Sequence, residues 1–204
     1  MRDFVKAKEV ISITPFDEIE LGEIAERRLY INSIIDEEIV SGIAFYILKF
    51  NREDKGKKIE DRKPILLYIN SPGGSVVDGF GLIDAILSSK TPVYTINQAL
   101  CASMGFLIFL AGEKRYSMQR SEFLMHDGTA VTMDSTAKAM DRMKFEEEYM
   151  EPMIKNYIMS RTNINTEVYE KKYRIEWYML PEEAKEYGIV THILGTDCDI
   201  DEII

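Results

Sequence analysis

Short apolar runs alternate along the chain with stretches that have helical periodicity. The run over 65–69 is continuous, which is typical of a buried strand, whereas 36–48 places Ile39, Ile43 and Ile47 on one helical face. The same criteria predict strands at 10–14, 28–31, 64–70, 92–96, 123–126 and 188–194. They predict helices at 36–48, 76–87, 103–111, 134–161, 166–174 and 181–187. Strands that alternate with helices indicate repeated strand-helix-strand units with right-handed crossovers in an α/β fold.

The helix predicted at 134–161 has a methionine-rich face. The methionines at helical spacing are Met140, Met143, Met150 and Met153. Pro152 lies inside this pattern and should kink or divide the helix, because proline lacks an N–H and clashes with the preceding turn. Flexible methionine side chains suit an adaptable packing surface. Such a face fits either a core or a contact with another subunit, since obligate interfaces resemble a core cut in half.

A candidate nucleophile, Ser103, lies where a predicted strand turns into an apolar helix. Free N–H groups and the helix dipole at this point favour the negative charge that forms when a serine attacks a carbonyl. Serine is also a favoured N-cap residue, so the position alone does not establish catalysis. A second turn, Pro72-Gly73-Gly74, follows the strand at 64–70 and allows a close approach of its backbone to a ligand.

The sequence offers two histidines as the base that a serine nucleophile needs. His126 ends the short apolar strand at 123–126, beside a loop, where catalytic groups tend to lie. His192 lies within the predicted strand at 188–194, where a structural role is expected. We therefore predict His126 as the base.

Four blocks of the sequence, in this order and spacing, resemble the proteolytic subunit of the Clp protease family. They are Tyr68–Gly74, Ala102–Gly105, Met125–His126 and Glu183–Gly188. The resemblance covers residues 24–195 and implies a single Clp peptidase-like domain there. It implies a ClpP/crotonase-type superhelix of repeated strand-strand-helix units, with a protruding handle helix at 134–161. It also implies two stacked seven-membered rings around a closed chamber.

The resemblance also implies roles for four residues. Ser103 is the nucleophile and His126 the base, and the N–H groups of Gly74 and Met104 form the oxyanion hole. The local chemistry agrees, because Met104 follows the nucleophile at a helix start and the Gly74 loop can approach it closely. The implied activity is hydrolysis of peptide bonds in peptides or unfolded proteins, with or without an ATP-driven unfoldase. No cofactor and no metal are implied.

The acid of the family's triad falls on Lys172 in this sequence. A lysine ammonium has no acceptor for the histidine Nδ1–H, and its charge opposes formation of the imidazolium. The subunit should therefore be slow unless another acid takes this role. The nearby candidates are Asp127, Glu170 and Glu176, each of which is more simply a solvated surface charge. A Ser-Lys mechanism through Lys172 is known chemistry, but we do not favour it here.

Composition excludes several classes of function. The net charge of −10 leaves no basic surplus to neutralise phosphates, which argues against a nucleic-acid partner. The chain has no apolar run of eighteen or so residues, so no membrane span is expected, and the first residues are not followed by an apolar signal segment. Two cysteines are too few for a disulfide framework and fit a reducing cytoplasm.

The two ends of the chain and one internal segment are predicted to lack regular structure. We expect mobility for 1–23, which resembles the family's entrance loops only weakly, and disorder for the acidic tail at 196–204. Residues 51–63 are charged and without period, which predicts a surface loop.

Three functions remain open from the sequence. The first is a self-compartmentalised serine endopeptidase. The second is a weakly active or non-catalytic subunit that assembles with an active homologue. The third is a crotonase-like enzyme acting on coenzyme A thioesters, which uses oxyanion-forming N–H pairs but does not require Ser103 together with His126.

Overall fold

The computed structural model describes residues 14–128 and 135–204. Within them the helices are α1 (Pro15–Ala25), α2 (Glu37–Glu53), α3 (Val76–Leu87), α4 (Met104–Leu110), α5 (Thr136–Phe145), α6 (Glu151–Arg161), α7 (Thr166–Lys172) and α8 (Pro181–Glu186). The strands are β1 (Arg28–Ile31), β2 (Ile65–Ser71), β3 (Val93–Ala102), β4 (Lys114–Ser117), β5 (Glu122–Met125), β6 (Trp177–Met179) and β7 (His192–Ile193). Short 3-10 turns occupy Ile59–Asp61 and Ile200–Glu202, and a π-helical turn joins α5 to α6 at Glu146–Met150.

The strands form one sheet that branches at β3. Strands β1, β2, β3, β4 and β7 lie side by side and all pair in parallel. The long strand β3 pairs with β4 through its first half and with β5 through 100–102 at its end. Strand β6 then adds to β5 in antiparallel orientation. The predicted α/β class with a parallel sheet and crossover helices is confirmed.

The two faces of the sheet carry separate apolar clusters, because side chains alternate along a strand. Leu67 and Ile69 of β2 belong to the main core, which lies between the sheet and helices α2, α3 and α4. Leu66 and Tyr68 of the same strand belong to a smaller cluster on the opposite face. The catalytic candidates belong with the main core, as described below.

Helix α4 is held rigidly in this core. All seven of its residues are buried. Carbonyls at and just beyond its C-terminus accept hydrogen bonds from arginines: Arg161 Nε donates to Leu110 O at 2.9 Å, and Arg115 Nη1 donates to Gly112 O at 3.2 Å. Two cations at this end suit the helix dipole, although burial and the neighbouring Arg161 lower the pKa of Arg115 to about 10. The N-terminus of α4, which carries Met104, is therefore fixed in place.

The structure also corrects several boundaries. Helix α2 continues to Glu53, into the predicted loop at 51–63. Strands β4 and β6 were not predicted. The helix predicted at 134–161 is interrupted by the π-helical turn next to Pro152, as the proline suggested. Residues 1–13 and 134 lie outside the described residues, and so does the strand predicted at 10–14 except for residue 14. The described part of the segment 1–23, for which mobility was predicted, belongs mainly to helix α1 (Pro15–Ala25).

The prediction of a disordered tail at 196–204 is wrong in this structure. Ile200–Glu202 forms a 3-10 turn, and Ile203 is 1% exposed within the smaller apolar cluster. Because the tail is mostly acidic, its sequence did not indicate that one apolar side chain, Ile203, would be buried. Ile203 is buried by residues on the opposite face of the sheet, which come from distant parts of the chain.

Candidate active site

Ser103 occupies a strained turn between β3 and α4. Its backbone has φ 53° and ψ −120°, a conformation that costs energy in a residue with a Cβ. Its N–H donates to Leu124 O at 2.9 Å, which ties the turn to β5. The side chain makes no capping hydrogen bond. The N-cap interpretation therefore explains only the position of Ser103, and its hydroxyl is left available for chemistry.

The turn at Gly73-Gly74 packs against Ser103. Gly73 has φ 102°, and a Cβ built on it would lie 2.7 Å from Ser103 Cβ and 3.1 Å from Met104 N. This contact explains the need for glycine better than the turn alone does. Sequence reasoning named Gly74 and did not identify Gly73 as the residue in closest approach.

The backbone of Ile35 holds the glycine turn in place through hydrogen bonds on both sides of Gly74. No pattern in the sequence indicated this role for Ile35. Ile35 N donates to Gly73 O, and Ser75 N donates to Ile35 O, both at 2.8 Å. A Cβ on Gly74 would lie 2.2 Å from Ile35 O, so no larger residue fits. Neither hydrogen bond uses the Gly74 N–H. Within the described residues, the N–H groups of Gly74 and Met104 donate no hydrogen bond outside helix and strand pairing, which suits donors kept for an oxyanion.

We expect Gly73→Ala to lower peptide hydrolysis by about 10²-fold or more, because small displacements of a nucleophile are costly to catalysis. Gly56→Ala is a matched control: Gly56 has a similar φ of 94°, but nothing lies within 4 Å of the added methyl group. Peptide turnover and thermal unfolding of both variants should be measured. Equal losses of turnover would show that backbone strain, and not the contact with Ser103, is responsible.

His126 follows β5 and faces the same small cavity as Ser103. The cavity has a volume of about 50 Å³, and Met104 also lines it. Nε2 of His126 is buried and has no hydrogen-bond partner in the described part of the chain. Ser103 and His126 do not hydrogen-bond to each other here, as is common for catalytic groups before substrate binds. The structure thus brings Ser103, His126 and Met104 to one cavity. Gly74 does not line this cavity, although the neighbouring Gly73 contacts Ser103.

His192 is placed elsewhere. Its ring stacks on Tyr116 with 5.2 Å between ring centroids, and Nδ1 lies 2.9 Å from the Thr191 hydroxyl. Tyr116 belongs to the smaller cluster on the opposite face of the sheet. His192 has the structural surroundings that its position in the sequence indicated.

Lys172 lies close in the fold to the end of β5, which directly precedes His126. Asp127 N, directly after His126, donates to the carbonyl of Tyr173 at 2.9 Å. The Lys172 ammonium lies 4.9 Å from the centroid of the Trp177 ring, and Trp177 pairs with Met125. The aromatic ring attracts the cation. Lys172 therefore has a partner of its own, and no hydrogen bond joins it to His126.

The three candidate replacement acids have different surroundings. Glu170 pairs with Lys155, and Glu176 accepts a hydrogen bond from the Tyr178 hydroxyl at 3.0 Å, so both are engaged at the surface. Asp127 lines a groove beside the cavity that Ser103 and His126 line.

A further acid, Glu151, lines this groove, and sequence reasoning did not consider it. Tyr173 lines both the groove and the cavity. Burial, followed by the carboxylates of Glu151 and Asp127, raises the pKa of Tyr173 to about 12. Tyr173 thus has two carboxylates close to it, that of Asp127 next to His126 and that of Glu151 at the start of α6, and only the tertiary fold reveals the second.

Within residues 14–128 and 135–204, no group of three or more His, Cys, Asp or Glu side chains is arranged to hold a metal ion. No helix in these ranges is long and apolar enough to cross a membrane.

Comparison with known proteins gives sequence matches along most of the chain. The family model for Clp protease matches residues 20–197. The ATP-dependent Clp protease proteolytic subunit 1 of Bacillus cereus is 33% identical over 177 residues, which cover 83% of this chain and 85% of the relative. Subunit 3 of a Synechococcus species is 32% identical over 172 residues, with 83% of each chain covered. Subunit 1 of Frankia casuarinae is 31% identical over 176 residues, covering 84% of this chain and 78% of the relative.

These matches favour a serine-type peptidase over a non-catalytic subunit or a crotonase-like enzyme. The similarity extends over most of the chain and includes the turns at Gly73-Gly74 and Ser103 and the end of β5. The chain belongs to the Clp protease family.

Proposed function

We propose that this protein is a self-compartmentalised serine endopeptidase in which Ser103 attacks the peptide carbonyl and His126 takes its proton. The observation that carries the proposal is the shared cavity, which Ser103 and His126 both line. The backbone of Ser103 is strained, and the buried Nε2 of His126 has no hydrogen-bond partner among the described residues. A serine hydroxyl needs such a base because it is a weak nucleophile at its ordinary pKa.

The proposed reaction uses the side chains of Ser103 and His126 and the backbone N–H groups of Gly74 and Met104. Ser103 Oγ attacks the carbonyl carbon, His126 Nε2 accepts the hydroxyl proton, and the N–H groups of Gly74 and Met104 stabilise the oxyanion. His126 then gives the proton to the leaving amine. In the second half of the reaction His126 takes a proton from water, which attacks the acyl-enzyme, and returns that proton to Ser103 Oγ as the acid product leaves. One well-placed oxyanion donor is worth roughly 10²–10³ in kcat. Helix α4 is fixed by burial and by Arg161, so the Met104 donor does not need to reorganise.

We propose two alternative arrangements for the third member of the triad. In one, Ser103 and His126 act as a dyad while Lys172 is held by Trp177. In the other, Asp127 or Glu151 supplies the negative charge that stabilises the imidazolium, through the groove that Tyr173 shares with the cavity. Activity of Lys172→Asp, Lys172→Ala, Asp127→Asn and Glu151→Gln separates the two arrangements.

The proposed assembly is two stacked seven-membered rings. Large apolar side chains on the segment from α5 to α6 are exposed in the single chain: Met143 is 63% exposed, Tyr149 61% and Met140 54%. Exposed apolar patches of this kind mark interfaces. The segment is at the position of the family's handle helix, which joins the two rings. Native mass spectrometry should give a fourteen-subunit mass, and a monomer at micromolar concentrations would contradict the assembly.

The proposed partners are peptides or unfolded proteins as substrates, and an ATP-driven unfoldase. The relatives are named as ATP-dependent proteolytic subunits, which supports an ATPase partner for this chain. We also propose a reducing, cytoplasmic compartment, because Cys101 and Cys198 are both free thiols.

A fluorophosphonate probe tests the nucleophile directly. We expect one probe per wild-type chain, by mass of the intact protein, attached at Ser103. Ser103→Ala should remove the label, whereas Ser160→Ala should keep it, because Ser160 is an exposed serine on α6 whose hydroxyl donates to Tyr157 O. Labelling that persists in Ser103→Ala, or that is absent from assembled wild-type protein, would contradict the proposal.

A further inference from the structure

Tyr173 brings a hydrogen-bonding side chain to the cavity that Ser103 and His126 line. Among the described residues on the walls of this cavity, Tyr173 is the only other one whose side chain contains an oxygen or nitrogen atom. The cavity volume of about 50 Å³ leaves room for only a few water molecules. Tyr173 and His126 do not hydrogen-bond directly in the described part of the chain, but a bridging water or a small rotation of either ring would connect them.

Tyr173 is held in place through both its backbone and its ring. Its N–H donates to Tyr169 O at 2.8 Å, and its carbonyl accepts from Asp127 N, directly after His126, at 2.9 Å. The rings of Tyr173 and Tyr169 stack with 5.0 Å between centroids, and Tyr169 is 2% exposed. A side chain fixed in this way suits the orientation of a catalytic group.

The hydroxyl of Tyr173 keeps its proton at neutral pH. Burial, followed by the carboxylates of Glu151 and Asp127, raises the pKa of Tyr173 to about 12, and a hydrogen bond to Glu151 adds to this effect. A phenol that donates its proton to a carboxylate still has lone pairs on its oxygen, which can accept another hydrogen bond. Tyr173 can therefore offer an imidazole N–H the acceptor that the ammonium of Lys172 lacks.

We propose that Tyr173 is a positioning residue that takes the place of the missing triad acid. Its phenol oxygen accepts a hydrogen bond from His126 Nδ1–H, directly or through a water in the cavity, and its hydroxyl donates to Glu151. This contact holds the imidazole in the tautomer whose Nε2 accepts the proton of Ser103, and the carboxylate behind the phenol stabilises the imidazolium. The inference rests on the proposed peptidase function and specifies how that site works with a lysine at position 172.

The test compares Tyr173→Phe with the wild-type full chain in hydrolysis of a short fluorogenic peptide. We expect kcat to fall by about tenfold and KM to change by less than about twofold, because the lost hydrogen bond acts on the base and not on substrate binding. The acid limb of kcat/KM against pH should move about half a unit to lower pH, because the imidazolium of His126 loses a partner and its pKa falls.

Tyr169→Phe is the matched control. It removes a hydroxyl from the tyrosine that stacks on Tyr173, and this hydroxyl is buried without a hydrogen-bond partner among the described residues. Its kcat and pH profile should match those of the wild-type protein. Charged groups on the elements around His126 stay unchanged in both variants, and they include Asp127, Glu151, Lys172 and the pair of Arg142 with Glu146.

A Tyr173→Phe protein with wild-type kcat would overturn the proposal. A lower kcat with an unmoved acid limb would also overturn it, because a role in packing alone gives that result. If Tyr173→Phe does not fold, Glu151→Gln decides: it should lower kcat and move the limb to lower pH, and an unmoved limb would count against Tyr173. Fluorophosphonate labelling of Ser103 in the wild-type protein tests the peptidase assignment separately, so the two failures are distinguishable.

Discussion

Replacing Ser103 with alanine should abolish peptide hydrolysis while leaving the fold intact. Removal of the nucleophile in a serine protease costs roughly 10⁶ in kcat, and the oxyanion hole and substrate binding alone retain only a small residual rate. The effect on stability should be within about 1 kcal/mol, because the Ser103 side chain makes no capping hydrogen bond that the variant would lose.

The measurement is turnover of a short fluorogenic peptide at matched assembly state, together with urea unfolding. Ser160→Ala serves as the control for loss of a serine hydroxyl outside the site. Alanine also keeps the strained φ of 53° at position 103, so strain is not relieved in the comparison. Undiminished turnover by Ser103→Ala would show that the nucleophile lies elsewhere.

Lys172→Asp should raise peptide hydrolysis by more than tenfold if the aspartate reaches the His126 ring. In a related triad, changing the acid to its amide costs roughly 10⁴ in rate, which sets the scale of what an acceptor can restore. Lys172→Ala should have a smaller effect, because it removes a cation without adding an acceptor. Both changes lose the contact with Trp177, which is worth about 0.5–1 kcal/mol at an exposed site.

Lys171→Asp is the matched control, since Lys171 is the exposed neighbour on the same helix and gives the same change in net charge. Turnover of the four proteins should be compared at equal assembly. If the wild-type protein already hydrolyses the peptide rapidly and Lys172→Asp is no faster, another acid completes the triad. Asp127→Asn and Glu151→Gln would then identify it. If the wild-type protein hydrolyses the peptide rapidly and Lys172→Ala abolishes this activity, a Ser-Lys mechanism explains the result better.

Much of the fold could be predicted from the sequence because it follows from local patterns. The helices at α2, α3 and α8 show apolar periodicity or begin and end at residues that favour their termini, such as Asp36 and Pro181. The continuous apolar run of β2 identified a buried parallel strand. The Ser103 turn was recognised for the same reason, since a strand, small residues and an apolar helix follow one another within a few positions.

Strands β4 and β6 were missed because they are only four and three residues long and depend on pairing with distant parts of the chain. The burial of His126 Nε2, the hydrogen bonds of Ile35 with the glycine turn and the position of Lys172 over Trp177 likewise depend on separate segments of the chain. No local pattern encodes them.

The sequence alone determined the catalytic candidates Ser103 and His126, the glycine turn and the absence of an acid at Lys172. Tertiary structure decided which groups share the cavity that Ser103 and His126 line, which acids approach Tyr173 and where Ile203 packs. The physical reason is that residue type and spacing set the local backbone, whereas burial of Ile203 or of His126 Nε2 requires surfaces built from residues far apart in the chain.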